Sequence, residues 1–350
     1  MEGRVRIQAP LRVFAAFLLL ASAVFAQQPA PAGGQSGANP IHLDVVVTGR
    51  NGVPVAGLTQ QDFTVLDNKA PQQIQSFRAV SGSGAQVGVI VVIDDVNTFY
   101  STIAYERIEI SKFFRANGGK LAYPTTLAIF SDTGTQMLKG FSTNGNELAK
   151  ALDKYTISLR AIQRSAGFYG AAERLQMSIR TLQQLAEFAG PLPGRKFILW
   201  MSPGWPILTG PRISISDKQQ RIIFDQIVRL STDLRQAGVT LYAIDPLGTA
   251  DVGLHTTYYQ DFLKGVRKKN EASFGNLSLE VIAAQSGGLV LNSNNDVTAL
   301  MQRAVGDASA YYELSFNPAP GEPNEYHQIE VKVSRPGLKA RTRTGYYSLH

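Results

Sequence analysis

The sequence contains no cysteine. That excludes disulfide staples, thiolate metal sites, thioester chemistry and a lipid attached through an N-terminal cysteine. Histidine is also scarce. His42, His255, His327 and His350 fall in unrelated segments, so a catalytic triad finds little support. There is no GxSxG elbow, no HExxH and no P-loop lysine. The glycine pair at 118–119 follows a helix-like run and not the first strand, so a dinucleotide fingerprint is missing too. Long basic stripes are absent. The net charge of +7 is scattered, and its densest cluster, Lys264, Arg267, Lys268 and Lys269, reads as a solvated loop. No nucleic-acid partner is expected.

Long apolar runs are missing beyond the first 26 residues. There, Arg4, Arg6 and Arg12 precede the 14-residue run Val13–Ala26, too short to span a bilayer comfortably. Val24 and Ala26 suit the −3 and −1 positions of a cleavage site before Gln27, so 1–26 reads as a signal peptide. The expectation is an exported protein, periplasmic or extracellular, with no transmembrane segment after cleavage near Ala26. Residues 27–39 (QQPAPAGGQSGAN) read as a linker.

What is present is a chain of 350 residues that is 44% hydrophobic and 17% charged, enough for a sizeable core and two domains. Residues 40–80 carry short β signals: the alternating run Ile41–Thr48, the hairpin pair Asn51-Gly52, then Phe63–Leu66 and Gln73–Phe77. Ser81–Ala85 marks a boundary. Beyond it, Val87–Ile93, Leu127–Phe130, Lys196–Met201 and Val239–Ile244 are continuous apolar runs, as strands buried on both faces require. Helical patterns separate them, at Ile103–Phe114, Asn144–Lys154, Gly170–Ala189 and Ile222–Gln236. Leu277–Gln285, Gly288–Leu291 and Val297–Val305 add a helix, a strand and a helix. The alternation predicts an α/β fold over 84–306, a doubly wound, mostly parallel sheet with helices on both faces. After Ser309 three strands follow, Tyr311–Phe316, His327–Val333 and Leu338–Tyr346. Residues 40–80 plus 309–348 are expected to form one small β-sandwich flank, with separate β subdomains as the alternative.

Ligands bind such sheets at the carboxyl ends of the strands. The first strand of the α/β region ends in Asp94-Asp95-Val96-Asn97-Thr98, an oxygen-rich cluster suited to Mg²⁺ or Ca²⁺ and equally to capping a helix. Asp245 ends another strand, where Pro246 makes a turn role natural. Asp132 sits in a hairpin-like turn.

The runs VGVIVVIDDVNT, GRKFILWMSPGWP and VTLYAIDP, in that order, resemble the von Willebrand factor A fold. With VVVTGRNGVPVAGLTQQDFTVLDNKAPQQIQSF before them and YYELSF and GLKARTRTGYYS after, the chain resembles the von Willebrand factor A-related domain proteins of acidobacterial type. That resemblance implies a metal-ion-dependent adhesion site with the signature Asp-x-Ser-x-Ser, a Thr from a second loop and an Asp after the fourth strand. Asp94 and Thr98 match it, whereas Val96 stands at the first Ser and Ser202 where the second Asp belongs. The loop at Ser165–Tyr169 supplies no clear Thr.

The expected metal ligands are therefore Asp94, Thr98 and Ser202, holding Mg²⁺ or Ca²⁺ weakly. The expected binding face is Asp94, Asp95, Asn97, Thr98, Ser202 and Asp245. The function expected is non-enzymatic binding of an unidentified protein partner, of adhesion or scaffold type. A metal-assisted hydrolase centred on Asp94 and a purely structural envelope component stand as alternatives.

Overall fold

A computed structural model describes residues 39–155, 167–208, 215–248 and 258–349. The expected signal peptide, all of the expected linker but Asn39, and the residues Ser165, His255 and His350 lie outside them.

The chain begins with β1 (Ile41–Thr48), β2 (Phe63–Asp67), β3 (Ala70–Gln72) and β4 (Ser76–Ser81). The α/β region follows with β5 (Val87–Asp94), α1 (Tyr100–Arg115), β6 (Lys120–Ser131), β7 (Gly134–Met137), β8 (Ser142–Asn144) and α2 (Gly145–Lys154). It continues through α3 (Gly167–Ala189), β9 (Arg195–Met201), α4 (Asp217–Gln236) and β10 (Val239–Ile244). Next come α5 (Leu279–Gln285), β11 (Val290–Leu291) and α6 (Val297–Gly306). The chain closes with β12 (Ala310–Phe316), β13 (Tyr326–Val333), β14 (Lys339–Arg341) and β15 (Gly345–Tyr347).

The central sheet runs β11-β10-β9-β5-β6-β7, with β8 also paired to β6. Strands β6, β5, β9, β10 and β11 are parallel, and β7 and β8 run antiparallel to β6. Counted along the chain from β5 and leaving out β8, which lies off the path, the order from β7 to β11 is 3-2-1-4-5-6, that of a doubly wound sheet. The period of two divides its side chains. Ile90, Val92, Ile198, Trp200, Leu241 and Ala243 pack with Leu175, Leu182, Phe224, Ile227 and Leu279 from α3, α4 and α5. Val89, Val91, Ile93, Phe197, Leu199 and Tyr242 pack with Ile103, Phe114, Leu152 and Met301 from α1, α2 and α6. Both faces are thus covered, which is why these strands read as unbroken apolar runs. At ~1.5–3 kcal/mol for each large side chain fully buried, these two layers dominate stability.

The terminal strands form two antiparallel sheets, β14-β1-β12-β4 and β15-β13-β2-β3. Strand β1 pairs with β12 in the register Leu43↔Leu314 and Val45↔Tyr312. One apolar cluster joins the two sheets, with Leu43, Val45, Leu314 and Phe316 from the first and Phe63, Val65, Ile329 and Tyr346 from the second.

Local chemistry sets the boundaries. Helix α1 stops where Asn117 and Gly118 turn left-handed, at φ of 52° and 70°. Asn144 caps α2 by accepting from the Asn146 and Glu147 N–H groups. Asp132 and Thr133 form the two-residue loop of the β6–β7 hairpin. The expected strand Leu338–Tyr346 is corrected to two strands: β14 pairs with β1 in one sheet and β15 with β13 in the other. The break falls at residues 342–344, where the Thr344 N–H turns aside to the Gln285 carbonyl at the end of α5.

Candidate functional site

The strand order reverses between β5 and β9, and a doubly wound sheet binds ligands at the carboxyl side of that point. Asp94 is the last residue of β5 and Ser202 directly follows β9, so both sequence-derived positions flank the crevice. Asp94 is fully buried. Its Oδ1 accepts from the Val96 N–H at 3.1 Å and the Asn97 N–H at 2.8 Å. Its Oδ2 accepts from Asn97 Nδ2 at 2.9 Å and from Trp200 Nε1 at 2.9 Å. Burial pushes the Asp94 carboxyl above the usual carboxylate range, while hydrogen bonds from Asn97, Trp200 and Ser202 pull it back down.

Asn97 extends the network, its Nδ2 also reaching Ser178 Oγ on α3 at 2.9 Å. Asp95 faces the other layer, where Tyr155 Oη donates to its Oδ2 at 3.2 Å. Ser202 Oγ accepts from the Gly204 N–H at 3.2 Å and orders the turn after β9. Thr98 is buried and its hydroxyl has no hydrogen-bond partner among the described residues. Half-buried Asp245 accepts from the Leu247 N–H at 2.9 Å, a turn-forming bond.

This donor set does not fit a divalent cation. An ionised carboxylate offers about four acceptor positions, and N–H donors fill four on Asp94. A cation would displace the indole N–H of Trp200, which can only donate. Val96, standing where the adhesion signature places a ligand, packs into the apolar layer under α3. Among the described residues no group of three or more His, Asp or Glu side chains is placed to hold a metal ion.

The same edge holds groups that the sequence reading passed over. Tyr258 Oη donates to Glu280 Oε2 at 2.9 Å, and burial pushes the Glu280 carboxyl up to about 7. Gly204, at a φ of 110°, lies against it, and a Cβ there would stand 2.6 Å from Glu280 Oε1. The one signal for Glu280 was a lone acid inside the apolar run Leu277–Ala284.

Aromatic side chains lie exposed at the starts of two helices. Phe99 and Tyr100 lead into α1 at 56% and 66% exposure, and Phe168 and Tyr169 open α3 at 45% and 85%. Tyr169 stands nine residues before Ser178, so at the helical rise it lies ~14 Å along α3 from the Asn97 bond. Their signal was a pair of aromatics at a helix entry, where polar capping residues are usual.

No helix among the described residues is long and apolar enough to cross a membrane. Comparison with known protein families and with curated proteins gives no match. Among solved structures the chain is similar to the pilus adhesin SpaC from Lactobacillus rhamnosus GG, at 9% identity and a TM-score of 0.38. That likeness covers 84% of this chain and 49% of the adhesin, so the chain spans about half the adhesin's length. The SpRpn10 VWA domain is similar at 11% identity and a TM-score of 0.28, over 63% of this chain and 96% of that one. The TFIIH p34 N-terminal domain is similar at 14% identity and a TM-score of 0.26, over 63% and 98%.

Proposed function

We propose that the chain is an exported, non-enzymatic binding protein of the von Willebrand factor A-related type, holding a protein partner at the carboxyl edge of its central sheet. The observation that carries this reading is a pair of exposed tyrosines: Tyr100, two residues after Thr98, is 66% exposed, and Tyr169, ~14 Å along α3 from the Asn97 bond, is 85% exposed. Tyrosine supplies large, rigid contact area with a polar tip and is enriched where proteins meet. The Asp94 carboxylate beneath is already satisfied internally. Asp94, Asp95, Asn97, Ser202 and Asp245 then act as the ordered floor that fixes the rim, and Thr98 packs beside them. Export rests on the basic and apolar run ending at Ala26.

The test is a photo-crosslinking residue placed in turn at positions 100, 169 and 53, in cells that make the protein. Val53 is 56% exposed in the β flank and serves as the control. The expected result is one discrete adduct from positions 100 and 169 and none from 53. No adduct from either rim position, or equal adducts from all three, would sink the reading. Turnover of phosphate or carboxylate esters with Mg²⁺ or Mn²⁺, lost on Asp94→Ala, would replace it with a hydrolase.

A further inference from the structure

The link between β14 and β15 places Arg343 at the seam where the terminal strands meet α4 and α5. Tyr347 of β15 packs edge-on against Phe224 of α4 at 6.0 Å, and the Thr344 N–H bonds the Gln285 carbonyl. Arg343 is only 9% exposed. It lines a cavity of about 20 Å³ whose polar wall includes Ser231, Asn276 and Ser286 and whose apolar wall includes Leu230 and Leu234. No carboxylate lines this cavity. Among the described residues the Arg343 guanidinium makes neither an ion pair nor a side-chain hydrogen bond.

The acid that bears on Arg343 is Asp44, and Asp44 is taken: Arg195 Nε lies 3.0 Å from its Oδ2. Arg235, near the end of α4, adds like-charge repulsion. Arg343 and Arg195 therefore share one carboxylate, with Arg235 as a further positive neighbour. Burial, with repulsion from Arg235 and Arg195 and against the pull of Asp44, brings the Arg343 guanidinium down to about 10 from its usual 12.5. A buried charge without a partner is costly, and buried polar groups in native proteins find protein, water or an ion. The surplus here is positive, which favours an anion over a neutral water as the partner. The cavity is small, about 20 Å³, which suits a single compact anion better than a tetrahedral oxyanion.

We propose that this cavity is a halide site, in which one chloride bound to Arg343 ties the terminal strands to α4 and α5. Asn276 contributes a second donor. Its Oδ1 accepts from the N–H and hydroxyl of Ser273, which leaves its Nδ2 for the anion. Ser231 supplies a hydroxyl from α4, whereas the Ser286 hydroxyl is spent on the Ala283 carbonyl.

The experiment compares thermal unfolding in chloride, bromide and gluconate at matched ionic strength, together with anomalous diffraction from bromide-soaked crystals. A ligand that binds only the folded chain raises its midpoint. The expected rise is about 2–4 °C per tenfold increase in halide above its Kd, absent in gluconate and absent in Arg343→Met. Bromide should give an anomalous peak in contact with the Arg343 guanidinium. Equal midpoints in chloride and gluconate, or halide dependence that persists in Arg343→Met, would overturn the site. If Arg343→Met does not fold, the crystals of the unaltered protein decide: a bromide peak upholds the site, and a water there refutes it.

Discussion

The indole N–H of Trp200 donates to Asp94 Oδ2 at 2.9 Å, joining the ends of β5 and β9 where the strand order reverses. Asp94→Asn keeps the shape of the side chain but puts an amide N–H₂ against the backbone N–H groups of Val96 and Asn97 and the Trp200 indole, which can only donate. The expected loss is ~1–3 kcal/mol, the cost of leaving buried donors unmatched. Trp200→Phe removes one of four donors and should cost ~1–2 kcal/mol. Because the two side chains touch, the double variant should lose less than the sum of the two. Urea denaturation of the three variants measures all of this. Losses below ~0.5 kcal/mol in both single variants would mean that the network contributes nothing.

The filled acceptor positions on Asp94 also fix the response to metal. A cation that binds only the folded state must raise the unfolding midpoint. Millimolar Mg²⁺, Ca²⁺ or Mn²⁺ is expected to leave the midpoint unchanged, and a chelator to leave it unchanged as well. A rise that Asp94→Ala abolishes would show that the cation can displace Trp200 and that the donor set is more adaptable than its geometry.

Glu280 gives the carboxyl edge a pH dependence of definite sign. Its carboxyl stands at about 7 in the folded chain, against 4.5 for the free side chain. Between those values the folded protein holds a proton that the unfolded chain releases. Its contribution to stability is therefore full below about 4.5 and lost as pH rises through about 7. Glu280→Gln cannot ionise and should flatten that decline, overtaking the parent protein in stability above pH 7. Denaturation midpoints of both proteins across this range are the measurement. Parallel curves would place the Glu280 carboxyl back in the ordinary range.

How far these features were legible follows from sequence distance. The runs Val87–Ile93, Lys196–Met201 and Val239–Ile244 announce two-sided burial by composition alone, and the helices between them make a parallel sheet the economical solution. Asp94 at a strand end was equally visible. Its partner was not. Trp200 is 106 residues away and sits in an apolar run where an indole reads as core. The same ambiguity hid the ligand question, since Asp, Asn and Thr after a strand serve a cation or a loop equally well. Only the direction of the four N–H groups separates the two. The break at Arg343 was illegible for a different reason. Alternation continues through Leu338–Tyr346, and the strand splits because its two ends belong to different sheets.

In the β flank, Asp67 organises two buried partners. Its Oδ1 lies 3.0 Å from His327 Nδ1 and its Oδ2 accepts from Tyr346 Oη at 2.8 Å. The His327 and Tyr346 rings stack at 4.7 Å. Asp67→Ala strands two buried polar groups at once and should cost ~2–5 kcal/mol. Tyr346→Phe removes one hydrogen bond and keeps the ring, at ~1 kcal/mol. Chemical denaturation of the two variants should rank them in that order. A smaller loss for Asp67→Ala than for Tyr346→Phe would show that His327 needs no partner there.

The rim at Tyr100 and Tyr169 should separate binding from folding. Both side chains are mostly exposed, so Tyr100→Ser and Tyr169→Ser remove little buried area and should change stability by less than ~0.5 kcal/mol each. In a protein interface, truncating a central aromatic commonly costs ~2 kcal/mol or more, about thirtyfold in Kd. The asymmetry is the useful part. A structural role for either ring would move the denaturation midpoint and the partner affinity together, whereas a docking role moves affinity alone. The Asp94 network is expected to behave in the opposite way, since its variants lose stability first and affinity only through the loop they disorder. Once the crosslinked partner is purified, titration calorimetry with the two serine variants and Trp200→Phe distinguishes these roles. Full affinity in both serine variants would move the binding face away from the carboxyl edge.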